Sequence, residues 1–271
     1  MHPLVNIGIR AARRAGTVIT RSMNRLESID IATKGRNDFV TEVDRQAEQE
    51  IIATIRQAYP GHGILGEESG ASGPSGPDDF TWIIDPLDGT TNFLHGFPQF
   101  CVSIGVQYRG RIEHAVIYDP IRTELFTASR GGGAQLDDKR IRVSKSRGLD
   151  GALVGTGFPF RDNVRWLDSY MAMLRAVTLE AAGVRRPGSA ALDLAWVAAG
   201  RTDAFWEMGL SPWDTAAGSL LVTEAGGRIG TLTGAEYLLQ GDLVAGSPKT
   251  YEALVALLAP HVPDDLRPAH S

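Results

Sequence analysis

Between positions 4 and 19 the apolar residues Leu4, Ile7, Ala11, Ala15, Val18 and Ile19 recur near helical spacing, and Val43, Ala47, Ile51, Ile55 and Ala58 repeat the pattern. Two amphipathic helices therefore open the chain. The period then shortens. Brief apolar runs, GIL from 63, TWII from 81, CVSIGVQY from 101, RIEHAVIY from 111 and ELFTAS from 124, are separated by Gly, Pro and Asp and predict strands. Val106-Gln107-Tyr108-Arg109-Gly110-Arg111 reads as a hairpin turn, so this sheet is expected to be mostly antiparallel.

After about residue 146 strands and helices alternate. A strand at ALVGTG precedes a helix near 163–180 and a second helix at SAALDLAWVAAG. The strand DAFWEM, a helix from Trp213 to about Ala225, a strand near DLVAG and a helix at PKTYEALVALLA follow. The expectation is an α+β chain with a mostly antiparallel N-terminal half, 1–146, and an α/β-like C-terminal half, 147–271, packed as one layered body with a cleft between them. ASGPSGPDD at 71–79 is the one low-complexity loop, and the tail HVPDDLRPAHS is expected to be frayed.

Composition narrows the class. A chain of 271 residues that is 43% hydrophobic has enough apolar content for a large core. A net charge of -5 gives no general electrostatic pull toward nucleic acid or an anionic membrane. Cys101, the single cysteine, excludes an internal disulfide and a thiolate zinc site, and a reducing cytoplasm fits best. Arg10, Arg13 and Arg14 interrupt the N-terminal apolar residues, so a signal peptide or membrane span is not expected there.

The acids at strand ends change the picture most. Glu67 and Glu68 follow one apolar run, and Asp85 and Asp88 follow another within WIIDPLDGTTNF. Adjacent strands would crowd these carboxylates, which repel unless a cation lies between them. Oxygen donors without His or Cys favour Mg²⁺, and the Leu87 carbonyl offers one more. Asp85-Pro86 and Asp88-Gly89 are also common turn dipeptides, so a tight turn accounts for the stretch equally well. If a helix starts at Thr90-Thr91, its first N–H groups suit a phosphate beside the cation. Asp44 reads as the answering residue of a Thr41 cap, and Asp214 as an acid in the first turn of a helix started by Ser211.

The remaining chemistry is quieter. Cys101 reads as a core residue, and Gly131-Gly132-Gly133 as a bend between strands. Arg185 and Arg186 suit either solvent or an anionic ligand. His62, His95 and His114 have no ligand spacing, and no Walker loop, GxGxxG or GxSxG element occurs.

Three separated segments carry a resemblance. Gly66-Glu67-Glu68-Ser69, Trp82 to Phe93, and Trp213-Asp214-Thr215-Ala216-Ala217-Gly218 with Glu224-Ala225-Gly226-Gly227 resemble the signature segments of the inositol monophosphatases. The similarity runs from KGRNDFVTEVD to the last α/β segment, and GSAALDLAWVAAGRTDAFWEMGL is similar to the bacterial extragenic-suppressor branch. The resemblance implies a layered αβαβα sandwich of the inositol monophosphatase and fructose-1,6-bisphosphatase type, a homodimer, and Mg²⁺-dependent, lithium-sensitive hydrolysis of myo-inositol 1-phosphate by a metal-activated water.

Residue by residue, it implies that Glu67, Asp85 and the Leu87 carbonyl hold one metal and that Asp85, Asp88 and Asp214 hold a second, with a weaker third near Glu67. Asp44, Glu67 and Thr90 become the catalytic residues, Asp44 and Thr90 orienting the water. Leu87, Asp88, Gly89 and Thr90 form the substrate loop, and the Gly89 and Thr90 backbone takes the phosphate. Arg186, Gly188, Ser189, Glu207 and Asp214 complete the substrate side, with Glu207 accepting an inositol hydroxyl. Glu67 is expected to be the direct ligand rather than Glu68. The resemblance leaves two alternatives open: the same chemistry on another small phosphate ester, or a binding module for RNA polymerase and its elongation factors in which catalysis is dispensable.

Overall fold

The computed structural model of the chain describes residues 2–23, 31–35 and 38–267. Arg36 and Asn37 of KGRNDFVTEVD and the last four positions of the expected loose tail lie outside the described residues.

Helix α1 (Pro3–Met23) is followed by strands β1 (Ile31–Gly35) and β2 (Asp38–Thr41) and by helix α2 (Glu42–Ala58). Then come β3 (Gly63–Gly66), β4 (Gly70–Ser72), β5 (Phe80–Asp88), the short helix α3 (Thr90–Leu94), β6 (Cys101–Tyr108), β7 (Arg111–Asp119), β8 (Glu124–Ser129), β9 (Gly133–Leu136) and β10 (Lys139–Arg140). The C-terminal part contains β11 (Leu153–Thr156), α4 (Leu167–Glu180), β12 (Gly183–Arg185), α5 (Ala190–Ala198), β13 (Ala204–Leu210), α6 (Pro212–Glu224), β14 (Arg228–Gly230), β15 (Gly241–Gly246) and α7 (Pro248–Leu258).

These elements build the expected αβαβα sandwich. The first sheet has eight strands in the order β10-β9-β8-β7-β6-β5-β3-β4, parallel only between β3 and β5. The second has the order β12-β11-β13-β15-β14 and mixes parallel and antiparallel pairs. α1 and α2 cover the outer face of the first sheet, α5 and α6 lie between the sheets, and α4 and α7 close the far side. Apolar periodicity dictates each layer. Leu4, Ala11, Ala15 and Ile19 of α1 and Val43, Ala47, Ile51 and Ile55 of α2 share one core with Trp82, Ile84, Val102 and Ile104 of the sheet. Each large apolar side chain so buried contributes roughly 1.5–3 kcal/mol. The α5 sequence is apolar on nearly every face because sheets flank it on both sides.

The hairpin between β6 and β7 closes on Arg109 and Gly110, both at positive φ, as a two-residue turn requires. Three local expectations need correction, and one hairpin had no expectation at all. The β1–β2 hairpin was not legible, because KGRNDFVTEVD lacks alternating hydrophobicity. The helix expected from 163 begins as a 3-10 turn over Arg161–Trp166 before α4 takes over. Ala71 and Ser72 of the expected loop belong to β4, paired with β3. The tail is docked through Arg267, since Asp264–Leu266 forms a 3-10 turn and the Trp166 indole donates to Asp265 at 3.0 Å. Among the described residues no helix is long and apolar enough to cross a membrane.

Candidate active site

Asp85-Pro86-Leu87-Asp88 is not a turn. β5 runs through Asp88, and its pairing with β6 shifts register between Asp85 and Asp88. The reversal comes one residue later at Gly89, whose φ of +102° starts α3. Such a bulge bends a strand and re-aims its side chains. Here Asp85 Oδ1 accepts the Leu87 N–H at 3.0 Å, and the Leu87 carbonyl accepts the Thr90 hydroxyl at 3.1 Å. The bend therefore gathers Asp85, the Leu87 carbonyl and Asp88 at the end of one strand.

Asp44 does more than cap a helix. Its Oδ2 accepts the N–H and hydroxyl of Thr41, completing the capping box of α2. Its Oδ1 accepts the hydroxyl of Thr90 at 2.9 Å, across 46 positions of sequence. Burial raises the Asp44 pKa, and the hydrogen bonds from Thr41 and Thr90 oppose that rise. Asp214 likewise answers the Ser211 cap of α6, its Oδ2 accepting the Ser211 N–H at 2.7 Å. Asp88 Oδ2 accepts the Ser189 hydroxyl at 2.7 Å and the Ala191 N–H at 2.8 Å, which ties β5 to the start of α5.

Charge shows which acids feel one another. The pKa of Asp85 stands well above the ordinary carboxylate range, through burial and then through Glu67, Asp88 and Asp214. Asp214 is raised by burial and by Asp88, Glu67 and Glu207. Glu67, Asp85, Asp88 and Asp214 therefore lie within range of one another's fields. Glu207 on β13 is pushed up to about 8 by burial and by Asp88, with Arg186 opposing. Arg186 also stands 5.2 Å from the centre of the Phe158 ring. Gly188 is joined to α3 because the Asn92 amide donates to the carbonyls of Pro187 and Gly188 at 2.8 and 3.2 Å.

The donor set suits a hard divalent cation by its chemistry: the buried Asp85 and Asp88, the half-buried Glu67 and Asp214 and a carbonyl, with no imidazole or thiolate required. Among the described residues no three His, Cys, Asp or Glu side chains are grouped so that they could hold a metal ion. The acids are instead tethered one by one, Asp85, Asp88 and Asp214 each through an oxygen held by an N–H or hydroxyl. Two surface depressions of about 400 Å³ lie elsewhere, beside Asp168 and His261 and along Arg10, Arg13 and Arg14, and neither gathers acids in this way.

Three further residues border these acids although the sequence assigns none of them a part in the site. Asp193 is buried on α5 with an unpartnered Oδ1, and burial, Glu207 and Asp88 hold its pKa well up. Its signal was present, a lone acid inside the apolar run SAALDLAWVAAG. Asn92 lies within WIIDPLDGTTNF, but its bridge to residue 188 spans 96 positions and has no local trace. Cys101, read as core, is buried as expected, and its Sγ also stands 3.6 Å from Ser189 Oγ and 3.8 Å from Asp88 Oδ2. The histidines stay apart from the acids: His62 accepts from the Trp82 indole, His95 contacts the Thr91 carbonyl, and His114 stacks on His2.

Glu207 supplies a pH signature. Its carboxyl stays protonated in the folded protein up to about pH 8 but ionises in the unfolded chain near 4.5. The native state then binds more protons, so this contribution is complete below pH 4.5 and is lost as pH rises toward 8. One proton corresponds to about 1.4 kcal/mol per pH unit. In metal-free protein, Glu207→Gln is expected to make the fall in stability between pH 5 and 8 shallower, read by urea unfolding at each pH. Unchanged steepness would contradict a protonated Glu207.

A five-layer sandwich with acids collected at the end of β5 defines the α+β class to which the chain belongs. The chain belongs to the inositol monophosphatase family, whose model matches residues 1–263. It is 56% identical over 270 residues to a Pseudomonas aeruginosa protein called Nus factor SuhB, covering 98% of this chain and 100% of that one. The crystal structure of extragenic suppressor protein SuhB from Bartonella henselae superposes with a TM-score of 0.92 at 42% identity, covering 96% of this chain and 100% of that one. Inositol monophosphate-bound SaIMPase-II superposes with a TM-score of 0.80 at 25% identity, covering 96% and 95%.

Proposed function

We propose that the chain is a Mg²⁺-dependent phosphate monoester hydrolase acting on myo-inositol 1-phosphate. The observation that carries this reading is the electrostatic influence of Glu67 and Asp88 on both Asp85 and Asp214, together with the hydrogen bond from Thr90 to Asp44. Family membership and the inositol monophosphate-bound relative support it.

Glu67, Asp85, the Leu87 carbonyl, Asp88 and Asp214 would hold the cations. Bound Mg²⁺ would supply an acidified water and neutralise charge on phosphoryl and leaving-group oxygens. The Thr90 hydroxyl, held by Asp44 and Leu87, orients the attacking water, and Asp44 takes up its proton. The Gly89 and Thr90 N–H groups, without intrahelical carbonyls at the start of α3, donate to phosphate oxygens. Arg186 faces the anionic substrate, and Glu207 accepts a ring hydroxyl on the side lined by Gly188 and Ser189. The expected state is a cytoplasmic homodimer sensitive to lithium.

The test is phosphate release from myo-inositol 1-phosphate with and without Mg²⁺, beside a panel including fructose 1,6-bisphosphate, histidinol phosphate and a 3'-phosphonucleotide. Release independent of Mg²⁺ would defeat the reading, and a better panel substrate would move the specificity.

A second reading rests on the relative named Nus factor SuhB, which matches nearly the whole chain. In it the chain acts as a partner of RNA polymerase or an elongation factor. Complementation with Asp88→Asn separates the two. Rescue without phosphatase activity favours the binding role, and joint loss favours the enzyme.

A further inference from the structure

Glu48 lies four residues after Asp44, on the same face of α2. It is 2% exposed, and its carboxylate is spent on one loop. Oε2 accepts the N–H of Glu68 at 3.0 Å and Oε1 accepts that of Ser69 at 2.8 Å. These N–H groups belong to the turn between β3 and β4 that begins with Glu67. The other end of the turn is pinned by the Glu67 N–H, which donates to the Ile84 carbonyl of β5 at 3.1 Å. Gly66 makes the approach possible: a Cβ there would stand 2.5 Å from Glu48 Oε2. One helix face thus grips two parts of the centre, Thr90 through Asp44 and the Glu67 turn through Glu48.

We propose that Glu48 is a positioning residue for divalent-cation binding, fixing the 67–69 turn so that the Glu67 carboxylate meets Asp85 and Asp214 at a set distance. It touches neither substrate nor cation. Because α2 is a rigid element, the same grip fixes the spacing between Glu67 and the Thr90–Asp44 pair. The inference rests on the cation reading of the site. Partners that orient a ligand in this way change metal affinity by about 10–100-fold when removed.

The experiment is calorimetric titration of Mg²⁺ into metal-free wild type, Glu48→Gln and Glu48→Asp, with melting and amide exchange measured on the same samples. The amide of Glu48→Gln keeps the size but can accept only one of the two N–H groups, and Glu48→Asp keeps the charge but withdraws it by one methylene. Both variants are expected to bind Mg²⁺ at least tenfold more weakly, to melt within a few degrees of wild type without metal, and to exchange the Glu68 and Ser69 amides faster. Phosphate release should recover at high Mg²⁺ with an unchanged substrate KM. Folded variants that bind Mg²⁺ as wild type does would overturn the proposal. Failure of both variants to fold would reduce Glu48 to a structural role and overturn it as well. Wild type that binds no Mg²⁺ would instead defeat the cation reading beneath it, which keeps the two failures distinct.

Discussion

Asp85→Asn is expected to lower Mg²⁺-dependent phosphate release by roughly a thousandfold or more, about 4 kcal/mol of transition-state stabilisation. Asp85 is the acid that the proposed site shares between two cations, so one neutralised carboxylate weakens both. The same substitution is expected to raise the melting temperature of the metal-free protein at neutral and alkaline pH. Burial, Glu67, Asp88 and Asp214 all raise the Asp85 pKa, so ionising it in the folded state is unfavourable. For an acid shifted upward, stability is present below the unfolded pKa and lost as pH rises through the folded one. Asparagine has no such loss and keeps an oxygen for the Leu87 N–H. Activity and stability should therefore move in opposite directions, as at sites built from mutually repelling groups. Normal Mg²⁺-dependent turnover would end the cation reading. A lower melting temperature would contradict the repulsion.

Gly89→Ala is expected to lower stability and turnover together. Gly89 caps α3 at φ +102°, outside the space of L-residues with a side chain. Its Cβ would stand 2.9 Å from the Gln99 carbonyl oxygen and 3.2 Å from that of Gly188. Both are backbone atoms held by the Asn92 amide, so neither can yield cheaply. Strain and crowding together are expected to cost about 2–4 kcal/mol of stability. Displacing Gly89 also moves Thr90 away from Asp44, so turnover should fall at least a hundredfold, with the loss in kcat. Urea unfolding and steady-state kinetics on one preparation check both. An active, wild-type-stable Gly89→Ala would mean that the bend is not under the constraint described.

The two variants differ because of what each residue does for the fold. Asp85 is a charge that the metal-free core tolerates at a loss, whereas Gly89 permits a backbone path on which the core depends. The sequence hinted at both through Asp85-Pro86-Leu87-Asp88-Gly89, but it suggested a turn where the chain has a bulge followed by a reversal. Local propensity cannot choose between them, since Asp, Pro and Gly favour either and the choice is made by pairing with β6. Thr41 and Asp44 were legible as a cap for the opposite reason: the hydrogen bonds of a capping box close within four residues.

By itself the sequence determined the order and type of the long elements, the acids Glu67, Asp85, Asp88 and Asp214 proposed as oxygen donors, and, through three spaced motifs, the family. Helical and strand periodicity express burial of one face, and donor chemistry is carried by residue identity, so both are written locally. Only the tertiary structure decided that the second oxygen of Asp44 reaches Thr90, that Ser189 and Ala191 hold Asp88 from more than 100 positions away, and that Asp193 and Glu207 are buried against the same acids. It alone revealed Glu48 beneath the Glu67 turn. These contacts arise where layers folded from distant segments meet, and no pattern along the chain records how closely two layers will approach.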